Sequence, residues 1–124
     1  MTEEQIALAR RAVACRGWRW MPGMFTEDGF RVCRVDTDGY KFGYRVEYNY
    51  AYAVIGDVLP DIDDPATRGC LLTLVREAHG APFLQVSVSI SREHGYRFEC
   101  NPRHRGAWVE SEEEALVAAL EAAS

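Results

Sequence analysis

From Tyr40 to Tyr52 every even position is large and apolar: Tyr40, Phe42, Tyr44, Val46, Tyr48, Tyr50 and Tyr52. The odd positions are small or polar: Lys41, Gly43, Arg45, Glu47, Asn49 and Ala51. Only extended backbone sends alternate side chains to opposite faces, so the stretch reads as one β-strand with a ring-rich face. That face needs an apolar cover, and the rest of the chain supplies amphipathic helices to provide it.

Three such helices are expected. Thr2 and Gln5 form a capping box ahead of a helix running to Arg16, with Ile6, Ala9 and Val13 as its apolar stripe and Gly17 as a left-handed stop. Asp64 as N-cap and Pro65 as first residue open a second helix to about His79, buried through Leu71, Leu74, Val75 and Ala78 and closed by Gly80. Ser111 and Glu114 form a second capping box before a helix striped by Leu116, Ala119, Leu120 and Ala123.

Between the helices lie strand signals. Phe30 to Val35 and the aromatic stretch are joined by the turn Asp36-Thr37-Asp38-Gly39. Phe83 to Ile90 alternates again and turns through Arg92-Glu93-His94-Gly95 into Tyr96 to Cys100, which Asn101-Pro102 closes. The order α-β-β-α-β-β-α implies an α+β fold: an antiparallel sheet of about four strands packed against helices, in one domain spanning 1–124. Gly39-Tyr40-Lys41-Phe42 and Gly95-Tyr96-Arg97-Phe98 repeat one phrase. An αββ duplication would produce that, and so would two turns of the same chemistry.

No stretch of the sequence is long and apolar enough to span a bilayer. The acidic start Met1-Thr2-Glu3-Glu4 is unlike a secretory signal, so an intracellular location is expected. Cys15, Cys33, Cys70 and Cys100 are widely spaced, and with His79, His94 and His104 they make no zinc-ligand spacing; reduced, mostly buried thiols are expected. The acidic loop carrying Asp57, Asp61, Asp63 and Asp64 matches no calcium-loop pattern and reads as turn and cap. No metal and no cofactor is expected. A net charge of −5 disfavours direct nucleic-acid binding. Thirteen of the fourteen basic residues are arginine, which fits a GC-rich genome and also fits bidentate recognition of carboxylate or phosphate.

Two stretches carry a resemblance: Gly17-Trp18-Arg19-Trp20-Met21-Pro22-Gly23-Met24 (GWRWMPGM) and Asp64-Pro65-Ala66-Thr67-Arg68-Gly69-Cys70-Leu71 (DPATxGCL), with the tail from Glu114 to Glu121. They resemble a group of small uncharacterised proteins from tailed phages and prophages. The resemblance implies a setting, the cytoplasm of a bacterial host cell and an accessory role there, and no reaction; residues 30–58 lie outside it.

Two clusters are candidate binding residues. Trp18, Arg19 and Trp20 place flat rings beside a guanidinium, suited to stacking or docking, although tryptophans beside a helix end also commonly seal a core. Arg97, Arg103, His104 and Arg105, near Arg92 and His94, form the densest basic region of an acidic chain; a solvated loop paired with Glu93, Glu99 or Glu110 would look the same. No G-x-S-x-G, Walker or H-E-x-x-H motif is present, so no catalytic residue is assigned. The expected function is a non-enzymatic binding module that captures a host protein, as an inhibitor of a host defence or nucleic-acid-processing protein, or that sequesters a small anionic ligand. Two alternatives stand beside it. One is an enzyme acting on a nucleotide-like substrate through Cys100, His104 and the arginines. The other is a structural homodimer built along the tyrosine strand.

Overall fold

The computed structural model describes residues 2–35, 41–46, 49–54, 58–80, 86–100 and 104–123, with backbone alone for the strand residues 41–46, 49–54, 86–89, 98–100 and 104–105. The fold is α+β. Its elements run α1 (Glu3–Val13), β1 (Val32–Val35), β2 (Lys41–Val46), β3 (Asn49–Val54), α2 (Pro65–Ala78), β4 (Val86–Ser91), β5 (Gly95–Cys100), β6 (His104–Arg105) and α3 (Glu112–Ala122).

The strands form two antiparallel sheets, β1-β2-β3 and β4-β5-β6, where the sequence predicted one sheet of about four strands. The largest correction lies in the aromatic stretch. It is two strands and not one, and the register sets Val46 against Asn49, Tyr44 against Ala51 and Phe42 against Ala53. Opposed residues of an antiparallel pair share a face. The register therefore assigns Tyr44 to one face and Tyr50 and Tyr52, opposite Arg45 and Gly43, to the other. The proposed single ladder of rings is divided. Its burial beneath helices concerns side chains that lie outside the described residues, as do Tyr40, Tyr48 and the turn 36–39. The reason the sequence misleads is parity: a two-residue connection leaves the alternation unbroken while the chain reverses. A thirteen-residue strand is already longer than most, which was the available warning.

The core belongs to the helices and the segment before β1. Ala9 and Ala12 of α1, Leu71, Leu74 and Val75 of α2, and Leu116, Val117, Ala119 and Leu120 of α3 are buried together with Trp20, Met24, Val32, Leu59 and Ile62. α3 is the hub, packing against α1, α2, β5 and β4. The N-cap predictions hold: Thr2 and Gln5 make both bonds of the box on α1, Asp64 accepts from Thr67 N–H ahead of Pro65, and Ser111 accepts from Glu114 N–H, the one bond of the second expected box that the structure records.

α1 stops at Val13, short of Arg16, and Gly17 is not its left-handed cap. Gly17 is needed for closeness instead: a Cβ there would lie 3.0 Å from Leu120 Cδ1 and 3.2 Å from the Ala78 methyl. Among the described cysteines, Cys33 is exposed and Cys15 and Cys70 are half-buried free thiols, so the expectation of burial is corrected. Cys15 follows α1, Cys33 lies in β1 and Cys70 lies in α2. Burial raises the Cys70 thiol pKa, and the Asp64 charge adds to this while Arg31 opposes it. No helix among the described residues is long and apolar enough to cross a membrane.

Candidate ligand surface on the β4–β5 hairpin

The second hairpin turns through Arg92, Glu93 and His94. Ser91 Oγ accepts from the N–H groups of Glu93 and His94, each at 3.3 Å, and Gly95 completes the reversal at φ +91°. No other residue fits position 95, because a Cβ would stand 2.3 Å from the Val109 carbonyl oxygen. That close approach is what lays residues 108–109 beside β5. Tyr96 N–H donates to Val109 O at 2.8 Å, and Val109 N–H donates back to Tyr96 O at 2.7 Å.

The strap so formed carries Trp108. The Arg97 guanidinium carbon lies 4.4 Å from the Trp108 ring centroid, and the His94 ring lies 5.5 Å from it, tilted by 37°. Arg97 and Trp108 are half-buried and His94 is exposed. A guanidinium stacked on an indole is held at fixed orientation by its flat face.

β6 extends this surface. The sequence predicted a loop over Arg103 to Gly106, but His104 and Arg105 form a short strand against β5, pairing Cys100 with His104 and Glu99 with Arg105. Arg105 thus takes the same ladder face as Glu99 and Arg97, while Cys100 and His104 take the opposite one. The catalytic alternative rests on Cys100, His104 and the arginines, and the side chains of Cys100, His104 and Arg105 lie outside the described residues. Arg103 lies outside the described residues.

The tryptophan turn belongs to another cluster. Trp20 is buried in the core, and Trp18 packs half-buried against it, their rings edge-on at 5.7 Å. Arg19 makes a bidentate pair with Glu77 at the end of α2. Two of these three predicted residues therefore have a packing role here, and the third has a carboxylate partner. Trp108 is the residue that sequence reading missed. The available signal was an aromatic three positions beyond an arginine-rich run.

A cavity of about 660 Å³ opens between the starts of α1 and α3, lined by Glu4, Asp63, Glu110, Glu113 and Glu114 with Arg11. Its carboxylates disfavour an anionic ligand there; the hairpin carries acidic groups as well, Glu93 with an oxygen 3.8 Å from His94 Nε2 and Glu99 in register with Arg105. Among the described residues no group of three or more His, Cys, Asp or Glu side chains is placed to hold a metal ion. Comparisons with protein-family models, curated proteins and solved structures gave no match to this chain.

Proposed function

We propose that this protein is a non-enzymatic binding module that takes a phosphate or carboxylate group on the surface made by Arg97, Trp108 and His94. The observation that carries this reading is the Arg97–Trp108 stack at 4.4 Å on a partly exposed strand of an otherwise acidic chain. Stacking orders the guanidinium before the ligand arrives, so less side-chain entropy is lost on binding. The resemblance of the GWRWMPGM and DPATxGCL stretches to small phage and prophage proteins supports a role as a phage accessory protein in the bacterial cytoplasm. The anionic group then belongs either to a small ligand or to a host protein, whose defence or nucleic-acid-processing activity the capture would block. Calorimetric titration with inorganic phosphate, a nucleoside monophosphate and an acidic peptide tests the reading. Arg97→Ala should weaken whichever probe binds by roughly 10- to 100-fold, the range of a charge-assisted hydrogen bond, and rising salt should weaken it too. Absence of binding by all three probes, or binding that Arg97→Ala leaves untouched, refutes it.

A further inference from the structure

β4 is an edge strand among the described elements, with β5 as its one neighbour in the order β4-β5-β6. Its register against β5 runs unbroken from Val86↔Cys100 to Ser91↔Gly95. Its sequence, Val-Ser-Val-Ser-Ile-Ser, holds no charge and no proline. Soluble proteins commonly guard edges with charge, proline, a bulge or shortness, because an edge is a template for another strand. The other edges differ. β1 carries Arg34 and an irregular register between Val32 and Arg34, and β6 is two residues long with an arginine. β3 is also uncharged. On β4 Ile90 is 73 % exposed, and among the described residues β5 is the strand's one neighbour.

We propose that the edge of β4 opposite β5 pairs with β4 of a second copy of this chain, antiparallel about a two-fold axis, joining two three-stranded sheets into one of six strands. Backbone donors and acceptors along an edge specify a strand as the occupant. The alternation specifies which strand. With Val88 on the axis it meets its own copy, Ile90 meets Val86 of the second copy, and Ser87 meets Ser89. Apolar residues then oppose apolar residues and hydroxyls oppose hydroxyls, and cross-strand pairs of this kind stabilise a sheet. A shift by one residue would set valine against serine and mix the faces. A strand from another protein would have to reproduce that alternation; this chain carries it already. Because opposed residues share a face, both Arg97–Trp108 stacks come to the same side of the joint sheet.

The dimer and the proposed ligand site respond oppositely to salt. Two chains of net charge −5 repel, so added salt should tighten the dimer while loosening an anionic ligand. Failure of one inference is therefore separable from failure of the other. The test is sedimentation equilibrium of wild type and Ile90→Lys, with hydrogen exchange of the 86–91 backbone. Wild-type mass should rise from 14.0 kDa toward twice that value with concentration, and β4 amides should exchange more slowly as it does. Ile90→Lys should raise the dimer dissociation constant at least about tenfold, with unchanged helical circular dichroism at low concentration, since the side chain is already exposed. A wild-type chain that stays monomeric into the hundreds-of-micromolar range overturns the proposal. So does a dimer that Ile90→Lys does not weaken, or one whose β4 amides exchange at the monomer rate.

Discussion

Asp64 joins the start of α2 to the segment that precedes β1, and Asp64→Ala should sever the joint. One carboxylate oxygen accepts from the Thr67 N–H at 2.9 Å and from the Thr67 hydroxyl at 3.1 Å, and Arg31 grips both oxygens at 2.6 and 3.1 Å. Thr67 is fully buried, and its hydroxyl in turn accepts from Phe25 N–H at 2.8 Å. Loss of an N-cap costs about 1 kcal/mol. Loss of a partly exposed ion pair costs at most about 1 kcal/mol. The stranded buried hydroxyl adds about 1 kcal/mol. A total of about 2–3 kcal/mol follows, or a fall of about 8–12 °C in melting temperature for a chain of this length. Asparagine caps nearly as well as aspartate, so Asp64→Asn should lose only the charged part, about 1 kcal/mol or less. Urea unfolding followed by tryptophan fluorescence and by helical circular dichroism reads both variants. An Asp64→Ala protein within about 0.5 kcal/mol of wild type, the ordinary spread of surface substitutions, would refute the reasoning.

The same carboxyl gives a pH dependence with a fixed sign. Burial pushes its pKa up, but the Arg31 hydrogen bonds, the two bonds from Thr67 and the Arg31 charge together bring it below the ordinary carboxylate value. The folded chain therefore favours the ionised form. Its stabilisation is present in full above the unfolded pKa of about 3.9 and is lost as pH falls through the lower folded value. Acid unfolding of Asp64→Asn should lack that loss, while wild type shows it.

Gly95→Ala should destabilise by more than about 2 kcal/mol, since left-handed strain of about 1–2 kcal/mol adds to displacement of the Val109 strap. Gly29→Ala, at φ +90° with open space around it, should cost only the strain, and melting curves of the two compare them directly. Gly95→Ala should also weaken any ligand that Arg97 holds, because the strap carries Trp108. Leu120→Ala should cost about 2–5 kcal/mol by denaturant titration, since the side chain is fully buried where α3 meets α1 and α2. Arg19→Ala should change stability by less than about 1 kcal/mol despite its bidentate pair with Glu77, because both side chains are about half exposed.

Helix starts were legible because N-caps are written within four residues, whereas the end of α1 was not. Thr2 with Gln5, Asp64 with Pro65, and Ser111 with Glu114 each carry their own geometry. The stripes of α2 and α3 were legible for the same reason, since Leu71, Leu74 and Val75, and Leu116, Ala119 and Leu120, recur at the helical period and are buried. The hairpin at Arg92 to Gly95 was legible from its glycine. The candidate surface was only half visible. The arginines could be counted, but Trp108 joins them only because the Tyr96–Val109 bonds fold a distant strap onto β5. The tryptophan turn shows the reverse: an exposed-looking Trp-Arg-Trp sequence whose second ring is core.

The amino-acid order settled where the three helices begin and where the longer strands lie, because backbone preference and side-chain periodicity act over a few neighbours; it missed the short strand at His104 and Arg105. It did not settle where an extended run reverses, because two residues of turn preserve the odd–even rhythm. Nor did it settle which face each tyrosine takes or which carboxylate each arginine meets. Those depend on strand register and on helix ends brought together from far apart in the chain, and only the closing of the core around α3 selects among them.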